Sequence, residues 1–261
     1  MIVTLLTDFG TRDTFVGVMK GVILSIAPDA RLVDLTHHVP PQDVHAGAFA
    51  LKTAYRYFPP GTVHLAVVDP GVGGARRPVA AHIGDYLFVG PDNGLLSHVL
   101  AREPLRRAVA LDNVRYHLPV SRTFHGRDIF APAAACLAAG TPLESLGTPL
   151  QRLLTLPLSC PVVRPEQITA HVVYVDVFGN LFTDVTEETA ADWGALEAEI
   201  GGRRLPASAA SYSAVPEGHP VALFGSSGHL EIAVRNGSAS RQFGLHIGDT
   251  VLLRRKSPPA K

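Results

Sequence analysis

The run from Val67 to Arg76 places a carboxylate, Asp69, and a guanidinium, Arg76, on either side of a turn built from Pro70, Gly71, Gly73 and Gly74. Thr62 to Val68 reads as a buried strand that delivers Asp69 to the carboxyl edge of an α/β sheet, where ligands bind. The glycines force a turn and let backbone approach a ligand closely. A carboxylate there can take a proton. Arginine stays protonated, so Arg76 can only orient that carboxylate, or a water, through charge-assisted hydrogen bonds. A surface ion pair closing a structural turn is the competing explanation.

Three further clusters carry polar groups. Asp8, in Thr-Asp-Phe-Gly at 7–10, closes the first strand, where a carboxylate accepts both hydroxyls of a ribose or serves as a helix cap. His125, in Thr-Phe-His-Gly-Arg-Asp at 123–128, stands just before an apolar helix and can orient or deprotonate water. In the second half, Asp176 to Asn180 and Gly225 to Glu231, the latter with Ser226, read as tight turns between strands. His37 and His38, taken with Asp8, Asp69 and His125, lack zinc-site spacing, so no metal is expected. The Gly71 to Gly74 turn lacks the Lys-Ser/Thr of a P-loop and is not a dinucleotide fingerprint.

These groups need elements to hold them. Ile2–Leu6, Leu32–Leu35, Val63–Val68, Val79–Ile83 and Leu87–Val89 read as strands alternating with helical patterns, which gives a layered, Rossmann-like α/β domain over 1–156. Phe15, Val18, Met19, Val22, Ile23 and Ile26 recur at helical spacing; Val44–Tyr57 and Phe130–Ala139 read as two more helices. Three prolines in 157–165 mark a linker. Val172–Val177, Leu181–Val185, Pro220–Phe224, Leu230–Val234 and Thr250–Leu253 predict a smaller all-β barrel or sandwich over 166–255, followed by a frayed tail at 256–261.

Composition narrows the partners. In 261 residues, 23 basic side chains balance 23 acidic ones, which leaves no electrostatic footprint for nucleic acid or an anionic membrane. Apolar runs are broken well before the ~18 residues of a membrane span. The start lacks a basic segment and cleavage site, and two cysteines make no disulfide framework, so a cytoplasmic protein with a small-molecule ligand is expected.

Thr-Asp-Phe-Gly at 7–10, Val-Pro-Pro-Gln-Asp at 39–43, Val-Asp-Pro-Gly-Val-Gly at 68–73, Gly-Pro-Asp-Asn-Gly at 90–94, Thr-Phe-His-Gly-Arg-Asp at 123–128 and Phe-Gly-Asn at 178–180 together resemble one family, in its order. It is the S-adenosyl-L-methionine hydroxide adenosyltransferases, relatives of fluorinases and chlorinases. The resemblance implies attack of water-derived oxygen on C5′ of S-adenosyl-L-methionine, giving adenosine and L-methionine, with no separate cofactor. It makes Asp69, Arg76 and His125 the catalytic set, and leaves open whether Asp69 or His125 takes the proton. By the same resemblance Asp8 grips the ribose, Asn180 the adenine, and Asp176 and Ser226 the amino-acid end, with Asp69, Glu231 and Val234 also along the ligand. Fluorinases stack a tryptophan where this chain has Gln42, and they carry tyrosine at position 69 and Tyr-Ser at 125–126, where this chain has Asp69, His125 and Gly126. The departure points to the water-using branch over halide-dependent transfer; a binding protein with negligible turnover is the third reading. The family implies a homotrimer whose sites form between subunits.

Overall fold

A computed structural model describes residues 1–256. The chain is a two-domain α/β protein, with compact units at Met1–Leu158 and from Ser159 onward.

The first unit is built on seven strands: β1 (Ile2–Thr7), β2 (Arg31–Thr36), β3 (Val63–Val67), β4 (Pro78–Ile83), β5 (Tyr86–Pro91), β6 (Leu105–Ala110) and β7 (Thr148–Pro149). They lie in the order β2-β1-β3-β5-β4-β6-β7. The first four of that order run parallel, and β4 is antiparallel to both β5 and β6. β1 is flanked by β2 on one side and β3 on the other, so the crossover reverses between β1 and β3, where ligands bind in such sheets.

Helices α1 (Phe15–Ile26), α2 (Val44–Ala54), α3 (Ser97–Leu100) and α4 (Ala131–Ala138) cover the sheet. One face of α1, with Val16, Met19 and Ile23 at helical spacing, is buried. Met19 and Ile23 pack with alanines of α4 against Val3, Leu5, Leu65 and Val67. The face is narrower than the apolar pattern predicts: Phe15, Val18, Leu24 and Ile26 are exposed within this chain. The helix expected over Val44–Tyr57 tightens into a 3-10 turn at Tyr55–Tyr57.

The second unit holds β8 (Val162–Val163), β9 (Gln167–Val175), β10 (Leu181–Thr186), β11 (Leu196–Ile200), β12 (Arg203–Pro206), β13 (Pro220–Phe224), β14 (His229–Val234) and β15 (Thr250–Arg255). The order is β12-β11-β15-β9-β10-β14-β13, with β8 paired to β9. The end strands β12 and β13 approach each other, so the antiparallel sheet curls nearly closed. Alternate residues such as Leu196, Ala198 and Ile200 fill its interior beside Ile168, Leu230, Ile232 and Leu253.

One expected boundary moves. β9 ends at Val175, which leaves Asp176 and Val177 in the following turn. The tail expected from 256 lies outside the described residues apart from Lys256, whose N–H still donates to Ala195 O at 2.8 Å.

Candidate active site

Asp8 and Asp69 follow neighbouring parallel strands paired in register Thr7 to Val67, so both carboxylates stand at one sheet edge. Beyond Asp69 the chain turns sharply: Val72 N–H donates to Asp69 O at 3.2 Å and Gly74 N–H to Gly71 O at 3.0 Å. Gly73 has φ 74°, and a Cβ there would stand 2.4 Å from Arg122 O. Only glycine therefore lets this turn lie against the segment that carries His125.

The turn returns Arg76 onto Asp69. Arg76 Nε donates to Asp69 Oδ1 and Oδ2 at 2.9 and 3.0 Å, and Nη2 to Oδ2 at 2.5 Å. Both side chains are shielded, at 8% and 5% exposed, so the pair is little screened by solvent. The Arg76 guanidinium also lies over the Phe130 ring, 5.2 Å from its centroid.

Arg76 Nη2 reaches His125 Nδ1 at 2.8 Å as well. Because arginine only donates, Nδ1 is the acceptor and a neutral ring carries its proton on Nε2. Burial, and then the Arg76 charge, hold the His125 pKa below its ordinary value, against the opposing pull of Asp69. Asp69, Arg76 and His125, drawn from two segments, thus converge in one cluster.

Local structure fixes His125. Gly126–Phe130 forms a π turn before α4. Pro132, in the first turn of α4, lacks an N–H, and the Asp128 carbonyl one turn earlier instead accepts from Leu118 N at 2.9 Å. The fully buried Asp128 carboxylate accepts from Ser121 N at 2.7 Å and Arg127 Nε at 2.5 Å.

Asp8 Oδ2 accepts from Gln42 N at 2.8 Å, and Gln42 adopts φ 65° to make that bond. The Asp92 to Gly94 segment is more than the simple turn its residues imply. Asp92 accepts from Arg77 at 2.5 Å and Leu154 N at 2.7 Å, and Asn93 Nδ2 donates to Val68 O at 2.8 Å, bracing the end of β3.

The second unit carries the remaining candidates. Asp176 Oδ1 accepts from Phe178 N and Asn180 N, and its Oδ2 from Asn180 Nδ2, each at 2.9 Å. Asn180 and Val234 line a cavity of about 580 Å³ with Phe178, Tyr212, Arg235 and Ser238. Glu231, on β14, is 2% exposed and accepts from Tyr212 Oη at 2.5 Å. Burial and the nearby Asp176 raise the Glu231 pKa, although the Tyr212 bond opposes this. A Cβ at residue 225 would fall 1.7 Å from Glu231 Oε1, so Gly225 makes room for that carboxylate. Ser226 is exposed on the adjoining turn. Tyr212 escaped the sequence reading because it lies in a segment without motif or period, and the hold of Gln42 on Asp8 because a backbone N–H makes it. Among the described residues, no group of three or more His, Cys, Asp or Glu is arranged to hold a metal ion.

Residues 3–147 match the model of the SAM hydroxide adenosyltransferase N-terminal domain, and residues 170–252 that of the C-terminal domain. A curated relative from Thermus thermophilus, named (R)-S-adenosyl-L-methionine hydrolase, is 45% identical over 95% of this chain and 97% of its own. A fluorinase from Actinopolyspora mzabensis is 28% identical, with 97% of each chain covered. Among solved structures, an uncharacterized conserved protein from Thermotoga maritima superposes with a TM-score of 0.89 at 37% identity, over 98% of this chain and 100% of that one. With both domain models matched in order across most of its length, this chain belongs to the S-adenosyl-L-methionine hydroxide adenosyltransferase family.

Proposed function

We propose that this chain hydrolyses S-adenosyl-L-methionine to adenosine and L-methionine, by attack of water on C5′ of the substrate. The observation that carries this reading is the shielded Asp69, Arg76 and His125 cluster at the sheet edge beside Asp8. The sulfonium leaves as the neutral thioether of methionine, so no general acid is needed. The protein must hold a water in line with the C5′–S bond and take its proton. His125, held at Nδ1 by Arg76 and at its ring N–H by the Ser121 backbone, walls the water position with a fixed neutral ring. The remaining acceptor is the Asp69 carboxylate, which takes the proton as the C5′–O bond forms and the C5′–S bond breaks. Arg76 holds both partners in orientation.

The halide-using alternative fits poorly. A carboxylate at position 69 repels an anion. A side chain at 126 would meet the Phe124 ring at 3.0 Å and Met19 Sδ at 3.1 Å, which disfavours a halide-holding serine there. Asp8 accepts ribose hydroxyls. Asn180 keeps its side-chain oxygen and one amide hydrogen for an adenine edge, while Asp176, Ser226, Glu231 and Val234 form the remaining contacts. The Thermus thermophilus relative is named for the R form of the substrate, and we assign the same sulfonium epimer as substrate here.

The reading includes a homotrimer in the cytoplasm, with the candidate residues of the first unit in one subunit acting with those of the second unit in a neighbour. The exposed Phe15, Val18, Leu24 and Ile26 of α1 support a subunit interface, and the free thiols of Cys136 and Cys160 suit a reducing compartment.

Incubation with each sulfonium epimer in oxygen-18 water tests the reaction. The expected product is adenosine labelled at its 5′ oxygen, formed faster from the R epimer. Unlabelled adenosine, or intact substrate of both epimers, would overturn the assignment.

A further inference from the structure

We propose that Thr7, His37 and Asp34 form a positioning network for Asp8 that sets how strongly the protein discriminates a ribose from its deoxy analogue. The proposal rests on the reading of Asp8 as the ribose-binding carboxylate.

Asp8 is the residue between Thr7 and Phe9, and the hydroxyl of Thr7 fixes that turn. Phe9 N–H donates to Thr7 Oγ1 at 3.2 Å, while the same oxygen lies 2.9 Å from His37 Nδ1. His37 also holds the loop through its backbone: Gly10 N–H donates to His37 O at 2.7 Å. Thr7 and His37 are buried, at 0% and 4% exposed, so this latch sits where water does not compete. On its far side His37 Nε2 lies 2.9 Å from Asp34 Oδ1, and Asp34 Oδ2 accepts from Lys20 Nζ at 2.6 Å. The ring approaches Asp34 off its N–H axis, with no linear hydrogen bond at Nε2. That contact is therefore chiefly Coulombic, and weaker than the Thr7 bond.

The polarity of the chain is consistent from end to end. Asp34, ionised beside Lys20, draws the ring proton to Nε2, which leaves Nδ1 to accept from the Thr7 hydroxyl. That hydroxyl, its hydrogen committed, turns a lone pair to Phe9 N–H. Asp8 is then held twice: through its flanking backbone by this latch, and through its carboxylate by Gln42 N–H. With one oxygen engaged by Gln42, the carboxylate has a single rotational setting in which the other faces a ligand. A slack turn would lose that setting while the fold remained. The mechanism uses none of Thr7, His37 or Asp34; the burial of Thr7 and His37 and the distances among all three point to this supporting role.

Calorimetric affinities for adenosine and 2′,3′-dideoxyadenosine measure the effect, because a general loss of structure lowers both and a misplaced Asp8 lowers only the first. Asp8→Ala is expected to abolish the adenosine preference. Thr7→Val and His37→Leu are each expected to reduce it about tenfold, at unchanged dideoxyadenosine affinity. Thr7→Ser, which keeps the hydroxyl, and His37→Gln, which offers an acceptor to Thr7 and a donor to Asp34, are expected to keep the parent's preference. If His37→Leu does not fold, the partly exposed Asp34→Ala decides, with an expected loss of about threefold. Full preference in Thr7→Val and Asp34→Ala, alongside its loss in Asp8→Ala, would overturn the network alone. Full preference in Asp8→Ala would overturn the ribose reading and the network with it.

Discussion

A guanidinium shared between a carboxylate and an imidazole constrains what each can do. Arg76 donates to Asp69 and to His125 Nδ1, so the ring is useful only while neutral. Its pKa lies below the ordinary histidine value of about 6.5, and Arg76 is second to burial among the causes. Removing that charge, as in Arg76→Gln, should raise the His125 midpoint, read from its ring-proton NMR titration; an unmoved midpoint would contradict the contact. Asp69→Asn, close in shape but unable to take a proton, should lower kcat by on the order of 100-fold or more while KM changes little. The sequence displayed the turn that joins Asp69 to Arg76. It did not display the pairing with His125, 49 positions along the chain. Spacing carries no information about such a contact, and only the family resemblance grouped the three. Glu231 was likewise reached by resemblance, and its partner Tyr212 by neither route.

At the scale of elements, the segment before α4 shows how a helix start can be shaped to present a side chain. The Asp128 carboxylate collects Ser121 N–H and Arg127, and its carbonyl takes Leu118 N–H. Asp128→Asn keeps the volume but exchanges an acceptor for a donor in a fully buried position. A loss of about 2 to 3 kcal/mol is expected, with kcat falling because His125 is released; thermal melting and steady-state kinetics check both. Strands with apolar β-branched cores, such as β1, β3 and β14, were legible. β6 (Leu-Arg-Arg-Ala-Val-Ala) and β11 (Leu-Glu-Ala-Glu-Ile) were not. Alanine, glutamate and arginine favour helix, and neighbouring strands override that preference in both cases. The end of β9 was misplaced by two residues because Val177 has strand propensity, yet it stands 90% exposed in the turn that Asp176 closes.

For the molecule as a whole, stability and function separate by position. His64 on β3 is fully buried among Tyr55, Phe58, Tyr86 and Phe88, stacked 5.1 Å from the Phe88 ring and bonded to Thr4 at 2.7 Å. Burial pushes its pKa down to about 3. The unfolded chain takes up this proton below about pH 6.5 and the folded chain does not, so the stabilising contribution is complete above 6.5 and declines as pH falls toward 3. The decline should reach roughly 3 kcal/mol by pH 4.5, and His64→Phe should flatten that part of the denaturation profile. The proposed trimer makes a separate demand. If Asp69 of one subunit acts with Asn180 of another, two inactive proteins repair each other when mixed. Asp69→Ala and Asn180→Ala homotrimers, unfolded together and refolded at equal concentration, should regain activity through mixed assemblies. Random mixing gives each interface one chance in four of pairing two intact halves, so recovery should approach a quarter of the parent rate. No recovery, from assemblies shown by light scattering to be mixed trimers, would mean that each subunit builds its site from its own residues. Recovery near a quarter would show that each site joins Asp69 of one subunit to Asn180 of its neighbour, so that activity requires the assembly.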